Sequence, residues 1–198
     1  QVRGFDVSTV TFIDAGAGWI VVDPLTTVEA AQAALELANE HVAPKPVLAV
    51  IYSHSHVDHY GGVGGVITAA DAASGKVKVI APEGFLEHAV SENIIAGPAM
   101  LRRARFQFGF TLPRSAEGEI TSGLGPCPSM GSLSLIAPTD LVTHTGQEIT
   151  VGDVTMVFQL TPGTEAPAEM NFYLPQFRAV FMAENANLTM HNLLPARG

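Results

Sequence analysis

The stretch S-H-S-H-V-D-H-Y-G-G, Ser53–Gly62, decides the fold of this chain. It follows the apolar, β-branched run Val47–Tyr52 (V-L-A-V-I-Y), which is typical of a buried strand. Imidazole and carboxylate groups are good ligands for Zn²⁺, so a cluster of them at the end of such a strand predicts a metal site. The candidate ligands are His54, His56, Asp58 and His59.

The glycines that follow this cluster indicate that the chain turns and packs closely against the next element. They are Gly61, Gly62, Gly64 and Gly65. In an extended segment His54, His56 and Asp58 point in one direction. If the chain turns after them, the four side chains could divide between two adjacent ions.

Composition limits the class of protein. The chain has 198 residues, of which 47% are hydrophobic and 15% are charged, so it is long enough for one sizeable globular core. It holds no run of eighteen apolar residues and therefore predicts no membrane span. A net charge of −9 argues against nucleic acid and anionic membrane surfaces as partners. Cys127 is the single cysteine, which excludes an internal disulfide and a sulfur-based zinc site.

The first residue is Gln1 and no signal peptide is recognisable, so we expect a piece of a longer protein or a chain with its front removed. Alternating and amphipathic patterns predict a strand–helix–strand unit before the histidine cluster, which places the site at the C-terminal end of a strand. The patterns further predict a second sheet and a long loop, Leu112–Ser134, that lines a substrate entrance. The predicted strands are Phe5–Ile13, Trp19–Val22, Val47–Tyr52, Lys76–Ile80, Leu141–Val142, Glu148–Val151, Val154–Leu160 and a buried Ala179–Ala183; the predicted helices are the stretch from the Thr26–Glu29 capping box to His41, Gly62–Ala73, one that begins at Pro82 and Glu83, and Ser91–Phe108.

Two further features allow more than one interpretation. Asp23, before Pro24, is interpreted as a turn residue in preference to a carboxylate that supports a metal ligand. Arg102, Arg103 and Arg105 form the most basic patch, and a solvated helix face is the preferred interpretation over an anion site.

Two glutamates later in the chain also follow apolar runs. Glu165 comes after a Pro-Gly turn and Glu184 after Ala179–Ala183, so both are candidate ligands whose burial a dication would offset. The alternatives are a solvated turn for Glu165 and a helix N-terminus for Glu184, and Glu169 competes with Glu165 as a ligand. Two Zn²⁺ ions with Asp58, Glu165 and Glu184 leave a net positive pocket, which would attract an anionic ester.

At these residues the sequence resembles the metallo-β-lactamase superfamily, and within it the alkyl sulfatases that hydrolyse dodecyl sulfate and related esters. The resemblance covers essentially the whole chain. The motifs that carry it are H-S-H-V-D-H, E-H-A-V-S-E-N at Glu87–Asn93, A-M-L-R-R-A at Ala99–Ala104, T-P-G-T-E-A-P-A-E-M at Thr161–Met170 and M-A-E-N-A-N-L-T-M-H-N-L-L at Met182–Leu194. In lactamase and glyoxalase relatives a histidine follows the Pro-Gly turn and an aspartate ends the next strand, whereas here Glu165 and Glu184 take these positions.

The resemblance implies an α/β fold, the four-layer αβ/βα sandwich, incomplete at its C-terminal side, with residues 1–198 as the N-terminal portion of one catalytic domain. It implies two zinc ions. His54, His56 and Glu165 would hold one ion, Asp58 and His59 the other, and Glu184 would bridge them. Arg197 resembles the arginine that clamps sulfate in the family, the alternative being a frayed terminal arginine; Asp58 and Arg197 are the expected catalytic residues.

The chain also departs from the family pattern, because it ends before the last histidine ligand of the second zinc and before the dimerisation and C-terminal domains. His144 and His191 are the late histidines available as substitutes, and neither lies in the matching motif. Full-length relatives are expected to be homodimers. Many relatives are exported from bacteria, which slightly favours a periplasmic or secreted location.

The first functional hypothesis is therefore zinc-dependent hydrolysis of alkyl sulfate esters by metal-bound water or hydroxide. A second is another hydrolase of the same fold that acts on a lactam, thioester or phosphoester. A third is a metal-binding fragment without activity.

Overall fold

The computed structural model describes residues 1–113, 115–119, 121–122 and 125–186. Its regular elements alternate between strands and helices in the first half and are strands in the second half. They are β1 (Thr11–Asp14), β2 (Trp19–Val22), α1 (Val28–His41), β3 (Val47–Ile51), α2 (Ala69–Ala73), β4 (Lys78–Pro82), α3 (Phe85–Val90), α4 (Gly97–Phe108), β5 (Asp140–Val142), β6 (Glu148–Val151), β7 (Val154–Leu160), β8 (Met170–Leu174) and β9 (Ala179–Phe181).

The strands form two sheets. The first has five strands in the order β1-β2-β3-β4-β5, and the second has four in the order β6-β7-β8-β9. β2, β3, β4 and β5 pair in parallel, and β1 pairs antiparallel with β2. The predicted strand–helix–strand unit is confirmed as β2-α1-β3, so the histidine cluster follows the C-terminal end of a central parallel strand, where α/β proteins usually bind ligands.

Two apolar clusters show how the layers stack. One lies between the first sheet and its helices and includes Val50 on β3, Ala34 on α1 and Phe85 on α3. The other lies between the sheets, where Ile51 and Ile80 meet Phe158 and Phe172, and no residue of the described α-helices belongs to it. Tyr173 and Val180 on the far side of the second sheet are 43% and 58% exposed. The described residues therefore supply three layers of the four-layer sandwich.

Helix α1 packs against the histidine loop through small residues. Its N-cap is Thr27, one residue later than the predicted capping box, and Glu29 instead accepts the backbone N–H of Ser132. A Cβ on Gly61, Gly62 or Gly65 would collide with the carbonyl oxygens of Thr26, Pro24 and Val28, respectively. These glycines are thus required for close approach, as the sequence predicts.

Several predicted boundaries differ from the structure. The strand expected at Phe5–Ile13 is confined to Thr11–Asp14, because the Asp6 carboxylate binds the backbone N–H groups of Val7, Thr26 and Ser129 and holds the preceding residues in bends. The helix expected over Gly62–Ala73 is instead a 3₁₀ turn, Val63–Gly65, followed by α2, which starts at a capping box between Thr68 and Asp71.

Further differences concern the strands and helices that follow. β4 lies at Lys78–Pro82 in place of Lys76–Ile80, so the next helix begins after Gly84 rather than at Pro82. The last strand ends at Phe181 and its residues are exposed or half-buried, so the prediction of a buried Ala179–Ala183 strand was wrong. Among the described residues no helix is long and apolar enough to cross a membrane.

Candidate metal centre

The candidate ligands converge from three segments of the chain. His54 and His56 follow β3, and Asp58 and His59 lie in the 3₁₀ turn Val57–His59. Glu165 follows β7 in the second sheet. Glu184 follows β9 at the edge of that sheet. The two sheets meet here, since the backbone of His54 bridges to Glu169 and the N–H of Met170 donates to the Ser53 carbonyl over 2.9 Å.

The first group of ligand atoms surrounds the Glu165 carboxylate. Its Oε2 lies 2.9 Å from Nδ1 of His56 and 3.4 Å from Nε2 of His54. Oε2 of Glu184 lies 3.9 Å from the same His54 nitrogen. One ligand atom from each of these four residues falls within 4.8 Å of every other, which is the spacing of groups that can hold one metal ion.

The second group shares Glu184 with the first. Nε2 of His59 lies 3.4 Å from Oδ2 of Asp58 and 3.7 Å from Oε1 of Glu184. Asp58, His59 and Glu184 again place one ligand atom each within 4.8 Å of the others. The two carboxylate oxygens of Glu184 therefore face different groups. All six residues proposed as ligands from the sequence come together in the structure, in the predicted two sets; their role as ligands stays a prediction.

The donor set fits a divalent metal ion. Nδ1 of His56, Nε2 of His59 and Oε2 of Glu165 are buried and face one another or other candidate ligand atoms, without a hydrogen bond of regular geometry to a described residue. Buried polar atoms of this kind are costly unless another partner satisfies them. Imidazole nitrogens with carboxylate oxygens are what zinc and similar dications prefer.

The charges around His56 and His59 also favour a bound cation. Burial by itself lowers the pKa of His56, but Glu165 and then Glu92 and Asp58 raise it above the ordinary value. Burial also lowers the pKa of His59, yet Asp58 and Asp23 raise it well above its ordinary value. The acidic groups thus create a strongly negative site that favours positive charge between them.

Asp23 orients two of the histidines. Its Oδ2 lies 3.0 Å from Nδ1 of His59, which leaves Nε2 of that ring facing Asp58. The same oxygen accepts from the Ser53 hydroxyl over 2.7 Å, so Ser53 Oγ in turn accepts from Nδ1 of His54 over 2.9 Å. Asp23 is 1% exposed and its Oδ1 takes the Ser53 N–H. The two interpretations of Asp23 are therefore not exclusive, because its backbone turns the chain and its carboxylate holds two candidate ligands.

Glu92 was not singled out by the sequence reasoning. Its Oε2 lies 3.6 Å from Nε2 of His56, on the opposite side of the ring from Glu165. It belongs to a π-helical turn, Ser91–Ile95, between α3 and α4. Such widened turns are frequent at functional sites but have no reliable sequence signature. The motif E-H-A-V-S-E-N, which contains Glu92, was the available signal.

Glu169 is not part of either group of candidate ligands. It is fully buried, and its Oε2 accepts hydrogen bonds from the Thr164 hydroxyl and from the N–H groups of Glu165 and Ala166. Glu165, rather than Glu169, faces the histidines.

The remaining predicted residues lie elsewhere. His144 is exposed, whereas His191 and Arg197 lie outside the described residues. The arginines of the basic patch, Arg102, Arg103 and Arg105, are all exposed, in agreement with a solvated helix face.

A cavity of about 820 Å³ opens beside the second group of ligand atoms. Asp58, His59 and Glu184 form part of its lining, and so does Ser129 from the long loop predicted to line a substrate entrance. Much of the remaining wall is apolar and comes from α4 and the long loop. These apolar lining residues include Met100, Leu101, Phe108, Phe110, Met130 and Leu133. The arrangement places a polar region of candidate metal ligands next to a site for an apolar group.

Comparison with known proteins finds relatives along the whole chain. The (R)-specific secondary-alkylsulfatase of a Pseudomonas species is 50% identical over 199 residues, which cover 100% of this chain and 30% of that protein. The linear primary-alkylsulfatase of a Pseudomonas species is 48% identical over 198 residues, with 100% and 29% covered. An alkyl/aryl-sulfatase of Saccharomyces cerevisiae is 49% identical, with 100% and 31% covered. The predicted resemblance to alkyl sulfatases is confirmed, and the chain spans about 30% of the length of these relatives.

Solved structures show the same likeness. The stereoselective inverting sec-alkylsulfatase Pisa1 from Pseudomonas sp. superposes with a TM-score of 0.94 at 50% identity, covering 100% of this chain and 31% of that one. The metallo-beta-lactamase IND-7 has a TM-score of 0.50 at 12% identity, with 86% and 56% covered, and shares the fold alone. Residues 3–165 match the metallo-beta-lactamase superfamily as a sequence family. Since that match spans well over half of the sequence, the chain belongs to the metallo-beta-lactamase superfamily.

Proposed function

We propose that this chain carries the metal-binding part of a zinc-dependent alkyl sulfatase, which hydrolyses alkyl sulfate esters such as dodecyl sulfate to alcohol and sulfate. One observation carries the proposal: two groups of ligand atoms share the Glu184 carboxylate and adjoin a cavity with an apolar wall. An alkyl sulfate has an anionic head and an apolar chain, which is the pair of chemistries that this arrangement accommodates.

We assign the residues of the chain two roles, as zinc ligands and as supports that orient the ligands. His54, His56 and Glu165 would hold one zinc ion, Asp58 and His59 the other, and Glu184 both. When bound, such a pair of ions supplies Lewis acidity and activates water at neutral pH. Asp23 and Ser53 keep the imidazole rings turned toward the carboxylates, so that the ligand set is in place before the substrate binds.

The charge of the ligand set favours an anionic substrate. Three ligand carboxylates, those of Asp58, Glu165 and Glu184, would face two dications, so the ions and this ligand set together carry one positive charge. Asp23 and Glu92 add negative charge behind His59 and His56 rather than in the ligand set. Met100, Leu101 and Phe108 on α4 provide apolar surface for the alkyl chain in the same cavity. We further expect Arg197 to grip the sulfate oxygens, since a guanidinium group binds such oxygens in pairs.

The names of the relatives do not indicate whether the substrate is a primary or a secondary ester, because one relative is named a secondary-alkylsulfatase and another a linear primary-alkylsulfatase. Hydrolysis of a single enantiomer of a secondary alkyl sulfate in ¹⁸O-labelled water distinguishes the two possible courses. Label in the alcohol with inverted configuration indicates attack at carbon, and label in sulfate with retained configuration indicates attack at sulfur.

The deciding experiment is a substrate panel assayed with the full-length protein at known zinc content. We expect sulfate release from dodecyl sulfate, loss of activity after chelation and recovery on adding zinc. Turnover of only a lactam or a thioester would contradict the sulfatase proposal and favour another hydrolase of the fold. Fewer than two zinc ions with no turnover would favour an inactive metal-binding chain.

A further inference from the structure

We propose that Glu169 is a positioning residue that fixes Glu165 toward the histidines and so sets the metal affinity of the group formed by His54, His56, Glu165 and Glu184. The inference rests on the proposed metal site and concerns a residue that does not itself contact the metal.

The hydrogen bonds of Glu169 define its action on Glu165. Its Oε2 accepts from the backbone N–H of Glu165, from the N–H of Ala166 and from the hydroxyl of Thr164, each over 2.9 Å. Hydrogen bonds to a carboxylate are about twice as strong as neutral ones. A single oxygen atom thus gathers three consecutive residues, of which the middle one carries the candidate ligand.

The turn needs such an anchor. Glu165 lies in the connection between β7 and β8, where Gly163 adopts a positive φ of 72° that favours glycine. Outside the carboxylate contacts, the turn is closed by the bond from the Gly163 N–H to the Ala166 carbonyl. The Thr164 hydroxyl also lies 2.7 Å from the Thr161 carbonyl, so its single proton is shared between that oxygen and Glu169 Oε2. Ordering the residues of a turn costs conformational entropy. The contacts with Glu169 offset part of that cost before any metal binds.

Glu169 also ties this turn to the histidine loop. Its backbone forms an antiparallel bridge with His54. Residues paired in this way project their side chains on the same side of the sheet. One residue therefore fixes the relative position of the two segments whose side chains meet, with Glu165 Oε2 lying 3.4 Å from His54 Nε2.

Stability alone does not account for this carboxylate. Glu169 is 0% exposed, and its Oε1 is buried without a hydrogen bond to any described residue. A buried oxygen left in that state destabilises the folded protein. A residue kept for packing alone would carry no such atom, whereas a residue that must hold three donors in place requires a carboxyl or amide oxygen at this point.

The test measures zinc affinity by competition with a chromophoric chelator, using full-length protein and the variants Glu169→Ala, Glu169→Gln, Glu165→Ala and Glu165→Ala/Glu169→Ala. We expect Glu169→Ala to weaken zinc binding by about 10–100-fold. Glu169→Gln should stay within about threefold of the wild type, because its amide oxygen can accept the same three bonds. Glu40→Ala, on the exposed face of α1, is the matched control and should leave zinc affinity unchanged.

The double variant separates positioning from a general effect on the fold. If Glu169 acts through Glu165, the double variant binds zinc no more weakly than Glu165→Ala, because the positioned group is already gone. A further loss of about 10-fold or more in the double variant would overturn the inference, and so would wild-type affinity in Glu169→Ala. Absence of zinc binding in the wild type would instead refute the proposed function. That outcome differs from the two above, in which the wild type binds zinc and only the effect of the Glu169 variants is unexpected.

A folding defect in Glu169→Ala, visible by circular dichroism, moves the test to Thr164→Val. This variant removes one of the three donors to Oε2 and leaves the carboxylate in place. We expect zinc binding weakened by about threefold to tenfold, on the scale of one lost supporting contact. Unchanged zinc affinity in Thr164→Val would count against the inference.

Discussion

Oδ2 of Asp23 lies 3.0 Å from Nδ1 of His59, although 36 positions separate the two residues along the chain. The contact joins the end of β2 to the loop after β3, which are neighbours because the two strands pair in parallel. A histidine whose Nδ1–H is held by a carboxylate presents Nε2 to its other partner. Asp23 thus decides which nitrogen of His59 faces Asp58 and Glu184.

Replacing Asp23 with alanine should weaken metal binding without touching any proposed ligand. We expect zinc affinity to fall by about 10–100-fold, since loss of a carboxylate that orients a metal-binding histidine has effects of this size. Titration with a competing chelator gives the affinity, and Asp14→Ala is the control. Asp14 is a surface residue paired with Lys45, and it pairs with Trp19 at the start of β2, whereas the histidines follow the end of β3. An equal loss of zinc affinity in Asp14→Ala would show a nonspecific charge effect.

Glu165 and Glu184 should differ in how much metal their loss releases. Glu165 belongs to one group of ligand atoms, whereas Glu184 belongs to both. We expect Glu165→Gln to weaken the binding of one zinc ion and Glu184→Gln to weaken the binding of both. Metal content after dialysis against a weak chelator, measured by mass spectrometry, tests this difference. Equal zinc content in the two variants would contradict the shared position of Glu184.

The sequence predicts the six candidate ligands because each signal is local. His54, His56, Asp58 and His59 form one dense cluster after an apolar strand, and Glu165 and Glu184 each follow an apolar run. Asp23 carries the opposite local signal, since Asp before Pro favours a turn. Its φ of 55° and the hydrogen bond from Leu25 N–H to its carbonyl show that it does turn the chain. Its side chain acquires a second role only through the pairing of β2 with β3.

Other differences also come from tertiary contacts. The alternation at Phe5–Ile13 predicts a strand, but buried Asp6 finds its partners at Thr26 and Ser129, far away in the sequence. Glu92 reaches His56 because the turn Ser91–Ile95 is widened to a π-helix. The sequence of that turn contains no signal that predicts the widening. Contacts of this kind depend on the assembled fold, so a local pattern cannot specify them.

Glu92→Gln tests whether the second carboxylate next to His56 supports its role. The variant removes the negative charge 3.6 Å from Nε2 of His56 and keeps the size of the side chain. We expect zinc affinity to fall by a smaller factor than in Asp23→Ala, about threefold to tenfold, because Glu92 is partly exposed and the contact is long. Competition titration measures it. Glu87→Gln on the exposed side of α3 is the control, and a matching drop in that variant would exclude a specific role for Glu92.

Phe85 stabilises the histidine loop from beneath. Its ring stacks on Tyr52 with centroids 4.8 Å apart and meets Tyr60 edge to face at 5.4 Å. Tyr52 and Tyr60 flank the segment that contains the four clustered candidate ligands, so the three rings pack against both of its ends. Phe85→Ala should lower the free energy of unfolding by about 3–5 kcal/mol, the usual cost of deleting a buried aromatic ring.

Chemical denaturation of the zinc-free protein measures this loss. Phe106→Ala is the matched control, because Phe106 is 89% exposed and its removal should change stability by less than about 0.5 kcal/mol. Comparable losses in the two variants would show that the aromatic group is not part of the stabilising core.

Asp6 should control how the cavity receives its apolar ligand. Its carboxylate accepts the N–H and hydroxyl of Ser129 and the N–H of Thr26, which fastens the long loop beside the start of α1. Ser129 and Met130 line the cavity. In Asp6→Ala the loop loses this attachment, so we expect KM for dodecyl sulfate to rise by about 10-fold and KM for a short-chain ester to change less. The reason is that a loosened apolar wall buries less of the longer alkyl chain.

Steady-state kinetics over a series of chain lengths gives the comparison. Glu117→Ala, at an exposed site in the same loop, is the control. A uniform fall in kcat across the series, with KM unchanged, would instead assign Asp6 to the stability of the metal site and not to the cavity wall.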